Sequence, residues 1–222
     1  MKIIAVIPAF NEATHVGAVV SRARPFVDRV VAVDDGSADG TSEAAARVGA
    51  TVLRHAVNRG LGAALGTGFA AARRLGADAV VTLDADGQHE PEEIPRFAEA
   101  LREGADVVIG SRLLGNCAPM PWHRVAANRL GNLATAVLYG AWVTDSQSGF
   151  RALSRRALDA IHVQSDRMEV SSEIVAEARR HGLRLREIPI RAIYTEYSLS
   201  KGQGFFVGVK MLGRMVVRRL FE

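Results

Sequence analysis

Two carboxylates stand one residue apart in the stretch DADGQ, directly after an apolar run that predicts a buried strand. Residues two apart in an extended backbone point to the same side, so Asp84 and Asp86 can share one ligand. Two hard oxygen donors, with the amide oxygen of Gln88 nearby, suit Mg²⁺ or Mn²⁺ held together with substrate phosphates. The alternative is a solvated turn built on an ordinary Asp-Gly pair. We favour the metal, because other polar clusters are expected at the same edge of the sheet.

A second acidic pair, Asp34 and Asp35, also follows an apolar run, in the stretch VDDGSADGT. Gly36 permits a close approach of the backbone to a ligand. Carboxylates at this position can accept hydrogen bonds from a nucleobase or from ribose hydroxyls. A plain connection between a strand and a helix is the alternative, since Asp39 resembles a helix cap. This segment alone does not decide between the two.

The elements that must position these residues are short apolar runs alternating with alanine-rich stretches. Strands are predicted at residues 3–7, 30–33, 51–53, 79–83 and 107–109, within DSQSGFRAL and at LRLREIPI. Helices are predicted at about 12–22, 40–49, 61–75, 91–102, 121–139, 154–161 and 169–180. This alternation predicts a doubly wound α/β domain with a mostly parallel sheet. Ligands of such sheets bind outside the carboxyl ends of the strands, so residues 8–12, 34–36 and 84–89 are expected in one site.

Composition limits the class of protein. The chain has 222 residues, 48% of them hydrophobic, enough to bury the core of one domain. Its single cysteine, Cys117, excludes an intramolecular disulfide and fits a reducing compartment. The first apolar run is too short for a signal peptide. The longest uncharged segment, residues 130–144, is shorter than the roughly 20 residues that span a bilayer.

The balance of charge favours anionic partners. The net charge is +4 and the isoelectric point about 9.7, which suits nucleic acid, phosphorylated small molecules or a membrane surface. Nucleic acid is disfavoured, because no basic stripe is interleaved with aromatic residues that could stack on bases.

The last residues, 204–222, predict one amphipathic helix after a domain of residues 1–203. Apolar residues recur at helical spacing, and Lys210, Arg214 and Arg218 form a basic stripe. Such a helix can lie on an anionic membrane surface. It can equally pack its apolar face on the domain or on a second subunit, and the pattern supports both.

Seven motifs, in their order and spacing, resemble family 2 glycosyltransferases, in particular the dolichol-phosphate mannosyltransferase-like branch that acts on polyprenyl phosphates. They are PAFNE, DDGSADGT, NRGLGAALGTG, DADGQHEP, GSR, DSQSGFRALSRRAL and YTEYSLSKGQG, and the likeness runs over residues 3–204. The resemblance implies one catalytic domain, residues 1–203, of GT-A type, a Rossmann-like and mostly parallel sheet flanked by helices. It implies metal-dependent, inverting transfer of a sugar from a nucleotide-sugar of GDP-mannose or UDP-glucose type to a polyprenyl or dolichyl phosphate.

The resemblance also implies roles for individual residues. On the donor side it implies nucleotide contacts by Pro8, Phe10, Glu12, Asp34, Asp35 and Lys201, and metal binding by Asp84, Asp86 and Gln88. On the acceptor side it implies phosphate contacts by Arg112, Arg124 and Asn128. Asp86, Arg112 and Arg124 are the expected catalytic residues among them. The chain departs from the branch at Thr195, where an arginine six residues before Lys201 is common.

The chemistry of the acceptor separates the alternatives. A lipid phosphate is already ionised near pH 7 and needs no general base, so positioning and charge stabilisation suffice. A glycan hydroxyl needs a carboxylate base, and Asp145 is then the expected catalytic residue. A third hypothesis is a catalytically silent subunit that binds nucleotide-sugars. Intact Asp84, Asp86 and Arg112 argue against it, whereas Thr195 leaves it open.

Three further ionisable residues lie near these motifs. His89 is expected to support the metal motif rather than to bind the metal. Glu169 and Glu173, four apart on a predicted helix, are expected on the surface rather than in the site.

The location follows from the expected acceptor. Many relatives in this branch have transmembrane helices after the catalytic domain, and this chain ends before any could form. We therefore expect a peripheral protein on the cytoplasmic face of the membrane, held there by its C-terminal helix and by a membrane protein partner.

Overall fold

The fold is known from a computed structural model, which describes residues 1–114 and 122–193. Its strands are β1 (Ile3–Ala9), β2 (Arg29–Asp34), β3 (Thr51–Arg54), β4 (Ala79–Thr82), β5 (Val107–Ser111), β6 (Arg151–Ser154) and β7 (Leu185–Pro189). They form one sheet in the order β3-β2-β1-β4-β6-β5-β7. All neighbours are parallel except β6, which runs antiparallel to both β4 and β5.

Helices cover both faces of this sheet. They are α1 (Val16–Ala23), α2 (Thr41–Arg47), α3 (Leu61–Arg74), α4 (Ile94–Arg102), α5 (Trp122–Tyr139), α6 (Arg155–Ala160) and α7 (Val170–Arg180). Short 3₁₀ turns occupy Arg24–Phe26 and Pro91–Glu93. Helices α1, α2 and α4 share one apolar core with the sheet, and α3, α6 and α7 share the other.

The two cores follow from the alternation of side chains along each strand. Ile3, Ala5 and Ile7 of β1 face the first core, whereas Ile4 and Val6 face the second. Both sets are apolar because a sheet covered on both faces buries every side chain. The strands and helices predicted up to residue 190 are all present within a few residues, and the predicted mostly parallel α/β class is confirmed.

The sequence pattern did not predict the reversed direction of β6. In the antiparallel register, Arg151 at the start of β6 lies opposite Thr82 at the end of β4, and opposite Ile109 of β5. The loop before β6 therefore reaches the same edge of the sheet as the carboxyl ends of β1, β2, β4 and β5. The reversal brings an additional segment of chain to the edge where ligands of α/β sheets bind.

Two sequence predictions concern parts of the chain outside this description. The amphipathic helix at 204–222 and Cys117 both lie outside the described residues. Within the described ranges, no helix combines the length and the hydrophobicity needed to cross a bilayer.

Close packing of α3 on β1 depends on Gly68. A Cβ atom at this position would overlap Cγ1 of Val6, which is fully buried in the second core. Gly66, one half-turn earlier in α3, has ordinary space, because its Cβ would lie 3.8 Å from Cβ of Val163. Substitution of these two glycines therefore compares a crowded and an uncrowded position of the same helix.

We expect Gly68→Ala to lower the free energy of unfolding by about 1–3 kcal/mol, since overpacking outweighs the gain in helix propensity. Gly66→Ala should raise it by about 0.5–1 kcal/mol, because alanine favours a helix more than glycine does. Urea unfolding followed by circular dichroism measures both. Equal effects of the two substitutions would contradict the described packing of α3 on Val6.

Candidate active site

An open cleft of about 320 Å³ lies at the carboxyl edge of the sheet. Its lining residues lie at or just beyond the carboxyl ends of the two central strands β1 and β4, and they are Pro8, Phe10, Glu12, Asp84, Ala85 and Asp86. These strands are parallel neighbours, so their ends come out side by side. The structure thus brings the predicted nucleotide residues of the first motif together with the predicted metal carboxylates.

The two carboxylates of the cleft repel one another. Desolvation raises the pKa of Asp84, while the positive charges of Arg112 and Arg151 act in the opposite direction. Desolvation also raises the pKa of Asp86, and the charge of Asp84 raises it further. A cation between the two side chains would remove this repulsion and favour their ionised forms.

The donor set of the cleft fits a divalent cation shared with a substrate. Among the residues that the structure describes, no group of three or more His, Cys, Asp or Glu side chains could hold a metal alone. Asp84 and Asp86 would therefore supply two oxygens, leaving the other positions to substrate phosphates and water, as is usual for Mg²⁺. Gln88 donates its backbone N–H to Oδ1 of Asp86 at 3.0 Å and its side-chain Nε2 to Oδ2. These bonds hold Asp86 in place; ligation by Gln88 stays a prediction.

His89 is buried beside the DADGQ stretch and contacts the backbone of Asp84, whereas its supporting role at a metal site stays a prediction. Its Nδ1 accepts the backbone N–H of Asp84 at 3.3 Å, and its ring lies 5.3 Å from that of Phe150. Burial, aided by the charge of Arg112, lowers the pKa of His89 to about 4, so the ring is neutral near pH 7.

The last described residues contact the chain just after Asp86. Ala192 forms an isolated β-bridge with His89, and Ile193 donates its N–H to the carbonyl of Gln88 at 2.9 Å. The chain therefore leaves the described region beside the cleft. Thr195 and Lys201 lie outside the described residues, and contacts of Lys201 with a diphosphate stay a prediction.

The loop before β6 packs directly against Asp84. A Cβ atom at Gly149 would overlap the carboxylate of Asp84, so only glycine leaves room for that side chain. The carbonyl of Gly149 accepts a 2.6 Å hydrogen bond from Oγ1 of Thr82, which fixes the loop against the end of β4. Sequence reasoning used this glycine only as part of a motif and gave it no role of its own.

Arg112 and Asp145 form a two-pronged ion pair at the end of β5. Nε and Nη2 of Arg112 donate to Oδ2 and Oδ1 of Asp145 at 2.7 and 2.8 Å. The backbone N–H of Arg112 donates to the same carboxylate at 3.0 Å. Asp145 is fully buried, and both its oxygens are taken by Arg112. This geometry makes Asp145 a positioning partner for the arginine.

Two residues from distant elements hold the loop that carries Asp145. Glu187 of β7 accepts the N–H of Thr144 at 2.8 Å and its hydroxyl at 2.7 Å. Asn132 of α5 accepts the N–H of Ser146 at 2.8 Å and donates to the carbonyl of Thr144. Sequence reasoning did not identify either residue, because each contacts the loop only once the fold brings distant segments together.

Two other predicted acceptor residues lie on α5. Arg124 and Asn128 are one helical turn apart in the first half of this helix. Asn128 is half-buried, and the side chain of Arg124 is outside the described part of the structure. Their contact with an acceptor phosphate stays a prediction.

One buried arginine is influenced by the charges of both Asp84 and Asp145. Arg151 is 2% exposed, and its Nη2 donates to the carbonyl of Ser146 at 2.6 Å. Its Nε has no hydrogen-bond partner among the described residues. Burial lowers the pKa of Arg151 to about 10, with the charges of Asp84 and Asp145 opposing this, so it is protonated near pH 7.

The carboxylates of Asp34 and Asp35, at the end of β2, are hydrogen-bonded to other groups of the protein. Oδ1 and Oδ2 of Asp35 accept the N–H groups of Arg59 and Gly60 at 3.0 and 2.7 Å, and Nδ1 of His55 lies 2.7 Å from Oδ1. Oδ1 of Asp34 accepts the N–H of Ser37 at 2.8 Å. These carboxylates hold the turns around β2, and their contact with a nucleobase or ribose stays a prediction.

The electrostatics of Asp34 agree with that structural role. Desolvation opposes ionisation, but hydrogen bonds from Ser37 and Ser42 outweigh it and hold the pKa of Asp34 below its ordinary value. The carboxylate is therefore charged near pH 7 although it is only 1% exposed.

The prediction that Glu169 and Glu173 lie on the surface is wrong. Both are buried, at 8% and 4% exposure. Glu173 accepts the N–H groups of Gln164 and Ser165 at 2.8 and 2.9 Å. The loop before α7 has backbone donors that need acceptors, and the sequence pattern does not show this need.

Comparisons with known proteins identify the family of this chain. A family model described as glycosyl transferase family 2 matches residues 4–161. An uncharacterised protein of Methanocaldococcus jannaschii is 42% identical over 99% of this chain and 93% of its own length. The UDP-N-acetylglucosamine–dolichyl-phosphate N-acetylglucosaminyltransferase of Methanococcus voltae is 33% identical over 97% of this chain and 95% of its own. The undecaprenyl-phosphate mannosyltransferase of Micrococcus luteus is 34% identical over 94% and 90%, respectively.

A solved structure has the same fold. The glucosyl-3-phosphoglycerate synthase of Mycobacterium tuberculosis, crystallised with Mn²⁺, UDP and phosphoglyceric acid, superposes with a TM-score of 0.76. The match covers 98% of this chain and 78% of that one at 22% identity. The predicted GT-A type is confirmed by this likeness, which concerns the fold alone.

We expect Gly149→Ala to reduce catalytic turnover about a hundredfold, because the new methyl group displaces the carboxylate of Asp84. Gly131→Ala in α5 is the matched control, since its Cβ would make only an ordinary contact with the same loop, 3.5 Å from Cγ of Gln147. Titration of Mn²⁺ and thermal melting of both variants separate metal binding from folding. Unchanged Mn²⁺ affinity in a folded Gly149→Ala protein would contradict the assignment of Asp84.

Proposed function

Because this chain belongs to family 2 of the glycosyltransferases, we propose that it transfers a sugar from a nucleotide-sugar to a polyprenyl phosphate. Two relatives that match nearly its whole length are named for dolichyl phosphate and undecaprenyl phosphate, which supports the acceptor class. Their sugars differ, N-acetylglucosamine in one and mannose in the other. The donor of this enzyme is therefore proposed only as a nucleotide-sugar, of which GDP-mannose and UDP-hexoses are the first to test.

The observation that carries this proposal is the ion pair of Arg112 with the buried Asp145, because it fixes a positive charge within reach of the carboxylates of the cleft. A guanidinium fixed by two hydrogen bonds to a fully buried Asp145, which also accepts the backbone N–H of Arg112, presents a permanent positive charge in one orientation. That charge acts on Asp84, so the arginine lies within electrostatic reach of the cleft. An anionic acceptor is thus guided to the side of the cleft opposite the nucleotide motif.

The residues of the cleft fit divalent-metal chemistry at the donor diphosphate. Asp84 and Asp86 would hold Mg²⁺ or Mn²⁺, and the bound ion would neutralise the charge that develops on the departing diphosphate. Gln88 and His89 keep these carboxylates in position through Asp86 and through the backbone of Asp84. Pro8, Phe10 and Glu12 form the adjoining wall, where the proposal places the nucleotide.

The acceptor side needs no proton transfer. Arg112 would orient an acceptor phosphate so that one of its oxygens attacks the anomeric carbon from the face opposite the leaving group. The new C–O bond forms as the bond to the diphosphate breaks, which inverts the configuration. The phosphate is already an anion near pH 7, so the step depends on positioning and charge stabilisation.

A hydroxyl acceptor fits the geometry less well. It would require Asp145 as a free general base, whereas both oxygens of this buried carboxylate are held by Arg112. A catalytically silent subunit is not adopted either, because the family is one of enzymes and Asp84, Asp86 and Arg112 are all present. With a lipid-linked acceptor, we propose a peripheral position on the cytoplasmic face of a membrane.

A radiolabelled transfer assay tests the proposal. Sugar nucleotides, including GDP-mannose, UDP-glucose and UDP-N-acetylglucosamine, are incubated with a short-chain polyprenyl phosphate and Mg²⁺, Mn²⁺ or EDTA. We expect label in the organic phase with metal and none with EDTA. Asp86→Asn should lower this transfer at least about a hundredfold, since a metal ion contributes several kcal/mol at the developing charge. Donor hydrolysis without lipid-linked product would overturn the acceptor class.

A double-mutant cycle on Arg112 and Asp145 tests the positioning role. We expect Arg112→Lys to raise KM for the polyprenyl phosphate about tenfold, because lysine cannot form the two-pronged pair. Asp145→Asn should have a similar effect, and the double variant should be little worse than either one, since both act through one contact. Donor hydrolysis serves as the control and should not change. Additive losses, with that of Asp145→Asn in kcat alone, would instead identify Asp145 as a base.

A further inference from the structure

The outer face of α5 is apolar although it is exposed to solvent. Leu130, Leu133 and Val137 recur at helical spacing and are 56%, 50% and 74% exposed. Trp142, just after the helix, is 72% exposed. Of the seven large hydrophobic side chains that are exposed in the described part of the chain, these are four. We call this surface the α5 stripe.

The inner face of α5 is polar where a surface helix is ordinarily apolar. Asn132 is 5% exposed and bonds to Thr144 and Ser146. Thr135 is fully buried, and its hydroxyl lies 2.9 Å from that of Ser172 on α7. A helix of a water-soluble domain normally has the reverse arrangement. A contiguous apolar surface of this kind marks a site of contact with an apolar partner.

The charges around the α5 stripe identify the kind of partner. Between Asp106 and Asp145 the sequence contains no acidic residue, so α5 carries no negative side chain. Arg129 is exposed beside Leu130, and the guanidinium of Arg179 lies next to Gly140 at the other end of the helix. Apolar residues flanked by cations, with a tryptophan at one end, suit the interface of an anionic bilayer.

The position of α5 agrees with such a partner. Its inner face holds the loop that carries Asp145, and Asp145 fixes Arg112, the proposed contact of the acceptor phosphate. The α5 stripe is thus about one helix diameter, roughly 10 Å, from this part of the site. We propose that the α5 stripe is a membrane-docking surface that rests on an anionic bilayer and brings the site to a lipid-linked acceptor. This inference rests on the proposed function for the acceptor, and it assigns the contact to a helix inside the catalytic domain.

Vesicle binding tests the surface without any substrate. Full-length protein is sedimented with vesicles of phosphatidylcholine and phosphatidylglycerol, and with vesicles of phosphatidylcholine alone. We expect the combined Leu130→Ser, Leu133→Ser and Val137→Ser variant to bind the anionic vesicles at least about tenfold more weakly. Val137→Ser should weaken binding several-fold, whereas Val57→Ser, at an equally exposed valine elsewhere (66%), should not. Unchanged binding of the triple variant would overturn the proposal.

Tryptophan fluorescence locates the contact. The chain has two tryptophans, so Trp122→Phe leaves Trp142 as the only reporter. We expect lipids brominated on their acyl chains to quench Trp142 when vesicles are added. Absence of quenching in a protein that binds vesicles would place the bilayer on another surface and overturn the proposal.

The other possible occupants of the α5 stripe give different results. If a second copy covers it, light scattering will show a dimer that the triple variant converts to a monomer. If the segment after residue 193 covers it, the triple variant will expose that segment to proteolysis without a loss of vesicle binding. Either result overturns bilayer docking. Because these vesicles contain no polyprenyl phosphate, a failure of the transfer assay would overturn the proposed acceptor while the docking result stands by itself.

Discussion

The side chain of Arg151, at the start of β6, is buried, and two carboxylates act on its charge, Asp84 after β4 and Asp145 before β6. Burial of an unpaired charge is costly, and this one is tolerated because Asp84 and Asp145 are both negative and close enough to act on it. The same charge helps Asp84 to stay ionised against desolvation. Arg151 and Asp84 therefore each favour the ionised form of the other. This charge balance links the part of the cleft proposed for the donor to the part proposed for the acceptor.

The reversed strand β6 makes that link possible. In a purely parallel sheet, the chain would arrive at β6 from the opposite edge, and neither Gly149 nor Arg151 would reach the cleft. Because β6 runs against β4 and β5, one short segment contacts Asp84 through Gly149 and carries Asp145 to Arg112. Movement of this segment would therefore displace both its contact with Asp84 and the ion pair of Asp145 with Arg112. The polar bonds of Thr144 and Ser146 to Glu187 and Asn132 oppose such movement.

The sequence predicted the parts of this protein that depend on local pattern. Strand-helix alternation located every described strand and α-helix, and carboxylates at strand ends located the cleft, because both signals lie in contiguous residues. The direction of β6 was not predictable in this way, since it depends on which strands it joins. The roles of Asn132, Glu187 and Arg151 were not predicted either, because each depends on where the fold places its neighbours. Glu173 was misplaced because the pattern does not show which buried backbone donors need an acceptor.

The polarity of α5 follows from the two environments that this helix separates. Its inner face must satisfy the backbone of the loop around Asp145, so Asn132 replaces the apolar residue that a core position would ordinarily hold. An apolar outer face in water would add no stability to the fold, since Leu130 and Val137 bury little of their surface there. These residues gain only if another apolar phase covers them. The helix that holds the loop around Asp145, and through it Arg112, is thus the one whose outer face is suited to a bilayer. The proposed acceptor site and the proposed docking surface are therefore joined by one helix.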